Sequence, residues 1–351
     1  MSRRNTFISI ALTALMLIAS FSALIPIESS PQEDLPHKAR ISAYTTHTAI
    51  FMSGNAGFLG PNASTGISWG SGTASDPYII QGWEINATGS YGGIHIMNSN
   101  VHFVIMNCLI YSADWDGIYL DHVSNGDLIG NDCSKNTYAG IFMFQSGSIL
   151  IFDNNCSGNY GCGIDSQFSS GNIISDNNCS FNSDYGILFR SSSNSNTVRN
   201  NSCINNSLSG MMTDSGCAYN LLFDNRFSGN TEYGLSMFVS IYNRIWNNTF
   251  YHNNGAGDAF DPLHVQAYDD GTSNWWNTSG IPHGYGNWWS DWQTPDNNAD
   301  GIVDNEYNIS GSAGSKDSYP LATPPVVPEP PILILIAIIA AIFLIIRRSG
   351  R

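Results

Sequence analysis

Eight side chains of this sequence carry groups that could do chemistry together: Tyr119, Asp121, Phe142, Phe144, Asp165, Arg190, Asp214 and Phe238. All follow closely on a regularly recurring glycine, and a strand starting there would turn them to one outer face. Carboxylates beside aromatic rings are what glycoside hydrolysis or sugar stacking uses. Asp165 and Asp214 are the candidate catalytic carboxylates, with Arg190 and Asp121 as further candidates. Tyr119, Phe142, Phe144 and Phe238 are the candidate sugar-contacting rings. The plainer expectation is that Arg190 and Asp214, at equivalent positions one repeat apart, form a surface ion pair on a solvated sheet. Catalytic clefts on such a face also need long walling loops, and the constant period leaves no room for them.

Metal chemistry has three candidate sources. "DNNADGIVD" (Asp296 to Asp304) places Asp296, Asn298 and Asp300 at positions one, three and five of a calcium-type loop. Gly301 supplies the turn, Ile302 a carbonyl, and Asp304 position nine. Tyr307 stands where the closing Glu belongs, so Asp317 is a candidate to complete the site; otherwise the segment is a polar turn. Copper would need clustered His, Met or exposed Cys, but the eight His are scattered without an HxH pair. The cysteines Cys108, Cys133, Cys156, Cys179 and Cys203 fall on one repeating inward column that continues as Phe227 and Phe250. That pattern predicts buried, reduced thiols acting as small hydrophobes. Collinear thiols cannot surround an ion tetrahedrally.

These residues are positioned by a repeat. A Gly followed by a mostly apolar residue recurs at Gly93, Gly117, Gly140, Gly163, Gly186, Gly210, Gly234 and Gly257, every 23 or 24 residues. The segments are Ile, Phe, Tyr, Asn, Ser and Gly, the composition of strands and turns. Ile94, Ile118, Ile141, Ile164, Ile187, Met211 and Leu235 form one apolar column. Phe103, Leu128, Ile151, Ile174, Val198, Leu222 and Ile245 form another. Asn131, Asn154, Asn177, Asn201, Asn225 and Asn248 keep the same phase, as do Asn136, Asn159, Asn182, Asn206, Asn230 and Asn253. A chain wound so that each coil lies about 4.8 Å from the last turns every column into a ladder. Apolar columns then fill the core, Asn serves corners and stacks its carboxamides, and Gly takes the tightest corner. The expectation is an all-β parallel β-helix of nine or ten coils. Disordered Asn-rich chain would not hold Ile columns in phase.

The columns resemble the Asn- and Gly-rich right-handed parallel β-helix proteins of prokaryotic cell surfaces, the group named after the periplasmic copper-binding protein NosD. "GSGTASDPYIIQGWEI" (Gly70 to Ile85) and "GNWWSDWQTPDNNADGIVDNEYNISGSAGSKDSYPL" (Gly286 to Leu321) are similar to segments flanking the coils in archaeal members. The resemblance covers roughly Thr45 to Leu321 and implies the right-handed sense, which parallel crossovers favour in any case. For activity it implies little beyond a copper-binding accessory role, the weakest of the three functional readings.

Both ends read as membrane segments. Residues 1–27 have the basic start, apolar run and small-residue site of a signal peptide, or of an uncleaved anchor. Residues 28–44 are a linker, 45–258 the β-helix and 259–321 a C-terminal cap, in which Trp275, Trp276, Trp288, Trp289 and Trp292 cover the last coil or offer a sugar platform. Residues 322–331 are a Pro-rich linker. Residues 332–346, "ILILIAIIAAIFLII", are a transmembrane or sorting helix about 22 Å long, and 347–351 a basic cytoplasmic tail. All 28 acidic residues but only eight Lys or Arg lie between Glu28 and Pro331, a balance of −20 that argues against nucleic-acid partners. The leading expectation is a cell-surface, membrane-tethered, non-catalytic module for envelope structure, adhesion or glycan binding, its partners being cell-envelope or extracellular polysaccharide or a surface protein. The alternative is a polysaccharide lyase or glycoside hydrolase.

Overall fold

The computed structural model describes residues 44–278 and 285–325. The chain winds as an all-β parallel solenoid of about seven regular coils. One nine-stranded sheet starts at Ile50–Ser53, continues through Gly92–Ser99, Asp116–Val123, Ile141–Phe144, Ile164–Gln167 and Ile187–Arg190, and ends at Ala267–Asp269. A second nine-stranded sheet ends at Arg244–Trp246, and smaller sheets make a third side. Pairing within the coils is parallel, whereas Ile67–Trp69 and the pair Tyr307–Asn308 with Lys316–Asp317 are antiparallel additions at the two ends.

Fewer regular coils form than the nine or ten expected, because the end strands arrive by longer connections. Ile50 pairs with Ile94 and Leu235 with Ala267. Gly257 consequently leaves the glycine column: a Cβ there would meet nothing, and Gln266 takes its place beside Gly234. In the true column the constraint is close approach, since a Cβ on Gly117, Gly163 or Gly186 would lie 2.5–2.6 Å from the carbonyl oxygen of the next coil's glycine.

Two further registers differ from the sequence reading. Leu128 pairs with Ile105, and Phe103 lies over Gly126. Strand period two turns both Phe103 and Ile105 inward, so either would satisfy an apolar column. Cys108 is not in the thiol column, which runs Ile85, Ile110, Cys133, Cys156, Cys179, Cys203, Phe227, Phe250, Trp289. Instead Cys108 stands at the start of the Asn131 ladder. Its amide donates to Asn131 Oδ1 at 3.0 Å, and its Sγ lies 3.5 Å from the Met106 carbonyl, as an Asn donor would.

The Asn columns are hydrogen-bonded ladders. Asn154 N and Nδ2 both donate to Asn177 Oδ1, at 2.9 and 3.0 Å, and Asn177 repeats this to Asn201. A second ladder holds Asn159, Asn182, Asn206, Asn230 and Asn253, and a third, unread in the sequence, holds Asn172, Asn196, Asn220, Asn243 and Asn274. Left-handed backbone falls on the residue before the first ladder: Gly130, Asp153, Asp176, Asn200, Asp224 and Asn247 have φ of 54–63°. The corner is shared by an αL residue and its carboxamide neighbour.

Among the described residues no helix is long and apolar enough to cross a membrane. The signal segment 1–27 and the segment 332–346 lie outside the described residues.

Candidate functional site

The outer face of the first sheet carries two columns. Phe51, His95, Tyr119, Phe142, Asp165, Leu188 and Met212 pair in one, and Met97, Asp121, Phe144, Gln167 and Arg190 in the other. A third line stands two residues before the glycines: Tyr91, Trp115 and Tyr138. Tyr91 stacks on Trp115 at 5.0 Å, and Trp115 lies 5.7 Å from Tyr138. Between these lines opens a depression of about 310 Å³ with Tyr119, Phe142 and Phe144 among its lining side chains. Tyr119 and Phe142 stack at 5.2 Å. The rim is accessible, with Tyr91 50% and Trp115 47% exposed.

The carboxylates behave differently from the sequence expectation. Asp165 is 0% exposed and bonds Arg190, with Nη2 at 2.5 Å from Oδ2 and Nε at 3.2 Å from Oδ1. Tyr138 donates to Asp165 Oδ2 at 3.0 Å and accepts from Arg190 Nη2 at 2.7 Å, which closes a ring of three. Burial pushes the Asp165 carboxyl up despite the neighbouring guanidinium. Burial also opposes the charge on Arg190, but Asp165 more than offsets it and holds the guanidinium firmly protonated. The Tyr138 hydroxyl is raised by burial and then by Asp165, the wrong direction for a base.

Arg190 therefore pairs with Asp165 and not with Asp214, whose Oδ1 accepts the Ser191 amide at 3.1 Å. Asp121 sits 2.5 Å from His122 Nδ1 at the edge of the depression. Phe238 is on a later coil beside Tyr268, 4.9 Å away, and does not join the group. Of the residues read from sequence, Tyr119, Asp121, Phe142, Phe144 and Arg190 line the depression and Asp165 lies beneath it.

Sequence reasoning missed Tyr91, Trp115, Asp116, Tyr138 and Gln167. For the first four the signal was present one and two residues before the glycines, where only the residues after them were read, whereas Gln167 stands four after Gly163, in register with Phe144 and Arg190. Asp116 matters most. It is buried, accepts the Ala139 amide at 3.0 Å, and lines the depression. Burial, reinforced by Asp165, pushes its carboxyl up to about 8, so it is largely a neutral acid at pH 7.

The candidate metal ligands make the following protein contacts. In the Asp296–Asp304 loop, Asp296 accepts the amides of Asp300 and Gly301 at 3.2 and 3.0 Å, and Asp300 accepts that of Ile302 at 2.9 Å. Asp304 accepts both nitrogens of Asn297, Asn298 donates to Asp300, and Gly301 makes the turn at φ 85°. Asp317 is fully buried and bonded to Asn287, Trp289 and Tyr319. Among the described residues no three His, Cys, Asp or Glu gather as a metal ion requires. All seven thiols are buried and unpaired with one another, and burial raises Cys133 and Cys179 well above the ordinary thiol range. Copper's donor set does not fit this arrangement.

In the tryptophan cluster, Trp276 and Trp289 are buried, and Trp289 lies stacked between Phe250 at 4.2 Å and Tyr307 at 4.0 Å. Those two rings extend the core past the last coil.

Stacked parallel coils with an aromatic outer face define the class, a parallel β-solenoid. The family model described as "Periplasmic copper-binding protein (NosD)" matches residues 79–294, and the chain belongs to that family. Solved structures of similar fold include the mannuronan C-5 epimerase AlgE6 A-module of Azotobacter vinelandii, at 17% identity and TM-score 0.42, over 56% of this chain and 63% of that one. The AlgE4 A-module from the same organism matches at 10% identity and TM-score 0.44, over 70% and 77%. DFA-IIIase of Arthrobacter chlorophenolicus matches at 12% identity and TM-score 0.40, over 70% and 65%. The chain thus spans less than two thirds of the AlgE6 module, and these likenesses concern the fold alone. No curated protein matches the chain.

Proposed function

We propose that this protein is an extracytoplasmic solenoid module that holds glycan in the aromatic depression without cleaving it. The observation that carries this reading is the contrast within the site: Tyr91 and Trp115 are half exposed at the rim, while Asp165 is sealed beneath it by Arg190 and Tyr138. Exposed aromatic rings take the apolar faces of sugars. An acidic body at −20 repels polyanions, so neutral glycans fit better than acidic ones. The family's periplasmic description supports an extracytoplasmic setting. Attachment to the cell surface through residues 332–346, the right-handed sense of the coil and an archaeal source are part of the same proposal, the last resting on the two flanking segments alone.

A second reading has one observation in its favour. Asp116 is a neutral acid facing a depression, the state a glycosidase acid requires, and Asp121 lines the same depression. Incubating the soluble chain with neutral and acidic polysaccharides, and following both retention and chain length, separates the two. Binding without cleavage is expected, weakened about tenfold or more by Trp115→Ala. Cleavage that disappears in Asp116→Asn would replace the proposal with the enzymatic reading.

A further inference from the structure

All three carboxamide ladders run in one direction. In each, a rung's backbone amide and, in nearly every rung, its Nδ2 donate to the Oδ1 of the rung that follows along the stack. Because a backbone N–H points at each Oδ1, the orientation of every amide is fixed. A one-way ladder has unlike ends. Its first member need only donate, and the first members are Cys108, Ala113 and Ile149, each giving a backbone N–H to the opening Asn. Its last member must accept without needing a further acceptor of its own. Another Asn would carry the same unmet Nδ2–H₂ into the buried end, where an unpaired donor is costly. An Asp is acceptor-only when ionised and carries a single donor when protonated, against the two of an Asn.

We infer that Asp269, Asp291 and Asp317 are the stops that close the three ladders and lock the C-terminal segment onto the last coil. Asn287 gives both nitrogens to Asp317 Oδ2, at 2.6 and 3.3 Å. The second ladder passes from Asn253 to Gln266, whose Nε2 donates to Asp291 Oδ1 at 2.6 Å. The third ends with Asn274 donating to Asp269 Oδ1 at 3.0 Å. All three carboxylates are buried. Two of them also tie down the tryptophans: Trp276 Nε1 donates to Asp269 Oδ2 at 2.9 Å and Trp289 Nε1 to Asp317 Oδ2 at 3.0 Å. The stop and the aromatic cap are one device.

The closure at Asp317 does not depend on its charge. Oδ1 receives only the Tyr319 amide, at 3.1 Å, so a proton placed there leaves the three donors on Oδ2 in place. Asp317→Asn keeps an acceptor for Asn287 and Trp289 but sets an NH₂ group against the Tyr319 amide, whereas Asp317→Ala removes every acceptor.

The test compares the two ends of the ladders by thermal melting and tryptophan emission of the full chain. Asp317→Ala and Asp269→Ala should each lower the melting temperature by roughly 5–10 °C and shift emission to the red, as Trp289 or Trp276 loses its anchor. Asp317→Asn should fall between Asp317→Ala and the parent. Cys108→Ala, at the opposite end, should cost no more than about 2 °C. A parent-like melt of Asp317→Ala, or an equal loss in Cys108→Ala, would overturn the assignment. Should the Ala variants not accumulate as folded protein, Asp269→Asn and Asp317→Asn decide: lowered melting supports the stops, and unchanged melting refutes them.

Discussion

The thiol column and the Asn131 ladder keep the same period, yet only one of them keeps its residue type. Along the first, Ile, Cys, Phe and Trp replace one another from Ile85 to Trp289. Along the second, every rung from Asn131 to Asn287 is Asn, apart from the ends. The difference is between volume and direction. An apolar column asks only that space be filled. A carboxamide ladder asks each member to accept and donate at fixed positions, which among the twenty side chains leaves Asn or, with a longer reach, Gln. The one Gln rung, Gln266, occurs where the chain takes the longer path into its last strand.

The largest effect should come from breaking the directional column. Asn177 accepts from both nitrogens of Asn154 and donates to Ile151, Ser175 and Asn201. Asn177→Ala strands several buried partners at once and should cost about 4 kcal/mol or more in urea unfolding. A loss below about 1 kcal/mol would mean that the ladder is no more constrained than the core.

The next effect concerns the end of that ladder. Burial raises the Asp317 carboxyl from 3.8 to about 7 against the pull of its donors from Asn287, Trp289 and Tyr319. The folded chain then holds a proton that the unfolded chain has released, so this group's contribution falls as pH rises from about 4 to about 7 and is level above. The full span is at most on the order of 4 kcal/mol. Unfolding free energy measured across that window should slope downward in the parent and lose this part of the slope in Asp317→Asn. An unchanged slope would place the titration elsewhere.

The smallest effect belongs to the volume-filling column. Cys156→Ala should cost roughly 1–2 kcal/mol, the price of a small buried sulfur. In the folded protein Cys133, Cys156 and Cys179 should resist a bulky thiol reagent, being fully buried. Rapid labelling of all three would dissolve the comparison together with the stacked fold.

What the sequence made legible follows the same division. The Asn131 and Asn136 ladders could be read to the residue as far as Asn248 and Asn253 because only a carboxamide serves there, while their last rungs, Asn287 and Gln266, fall off the period. The apolar columns could be read only to within one strand period, which is why Phe103 stood in for Ile105. Cys108 was read with the thiols because its residue type was counted, whereas its hydrogen bonds assign it to the carboxamides. The third ladder was overlooked although Asn172, Asn196, Asn220 and Asn243 keep the period; only its last step, to Asn274, is lengthened by a detour. The site was half legible: Tyr119, Asp121, Phe142, Phe144 and Arg190 were found on the right face. The pairing of Arg190 back to Asp165 depends on a long side chain reaching across the coils, which no spacing rule specifies. Asp116 hid on the near side of Gly117, where a strand that leads into the corner begins.

The glycine column bears on how such a protein can change length. Each coil meets the next through the same short approach of glycine backbones, so any two interior coils present interchangeable mating surfaces. Removing or duplicating one whole winding leaves every junction familiar, and the single residue by which windings of 23 and 24 differ is absorbed without breaking a rung. Length variation among relatives built this way should come in whole steps of 23 or 24 residues.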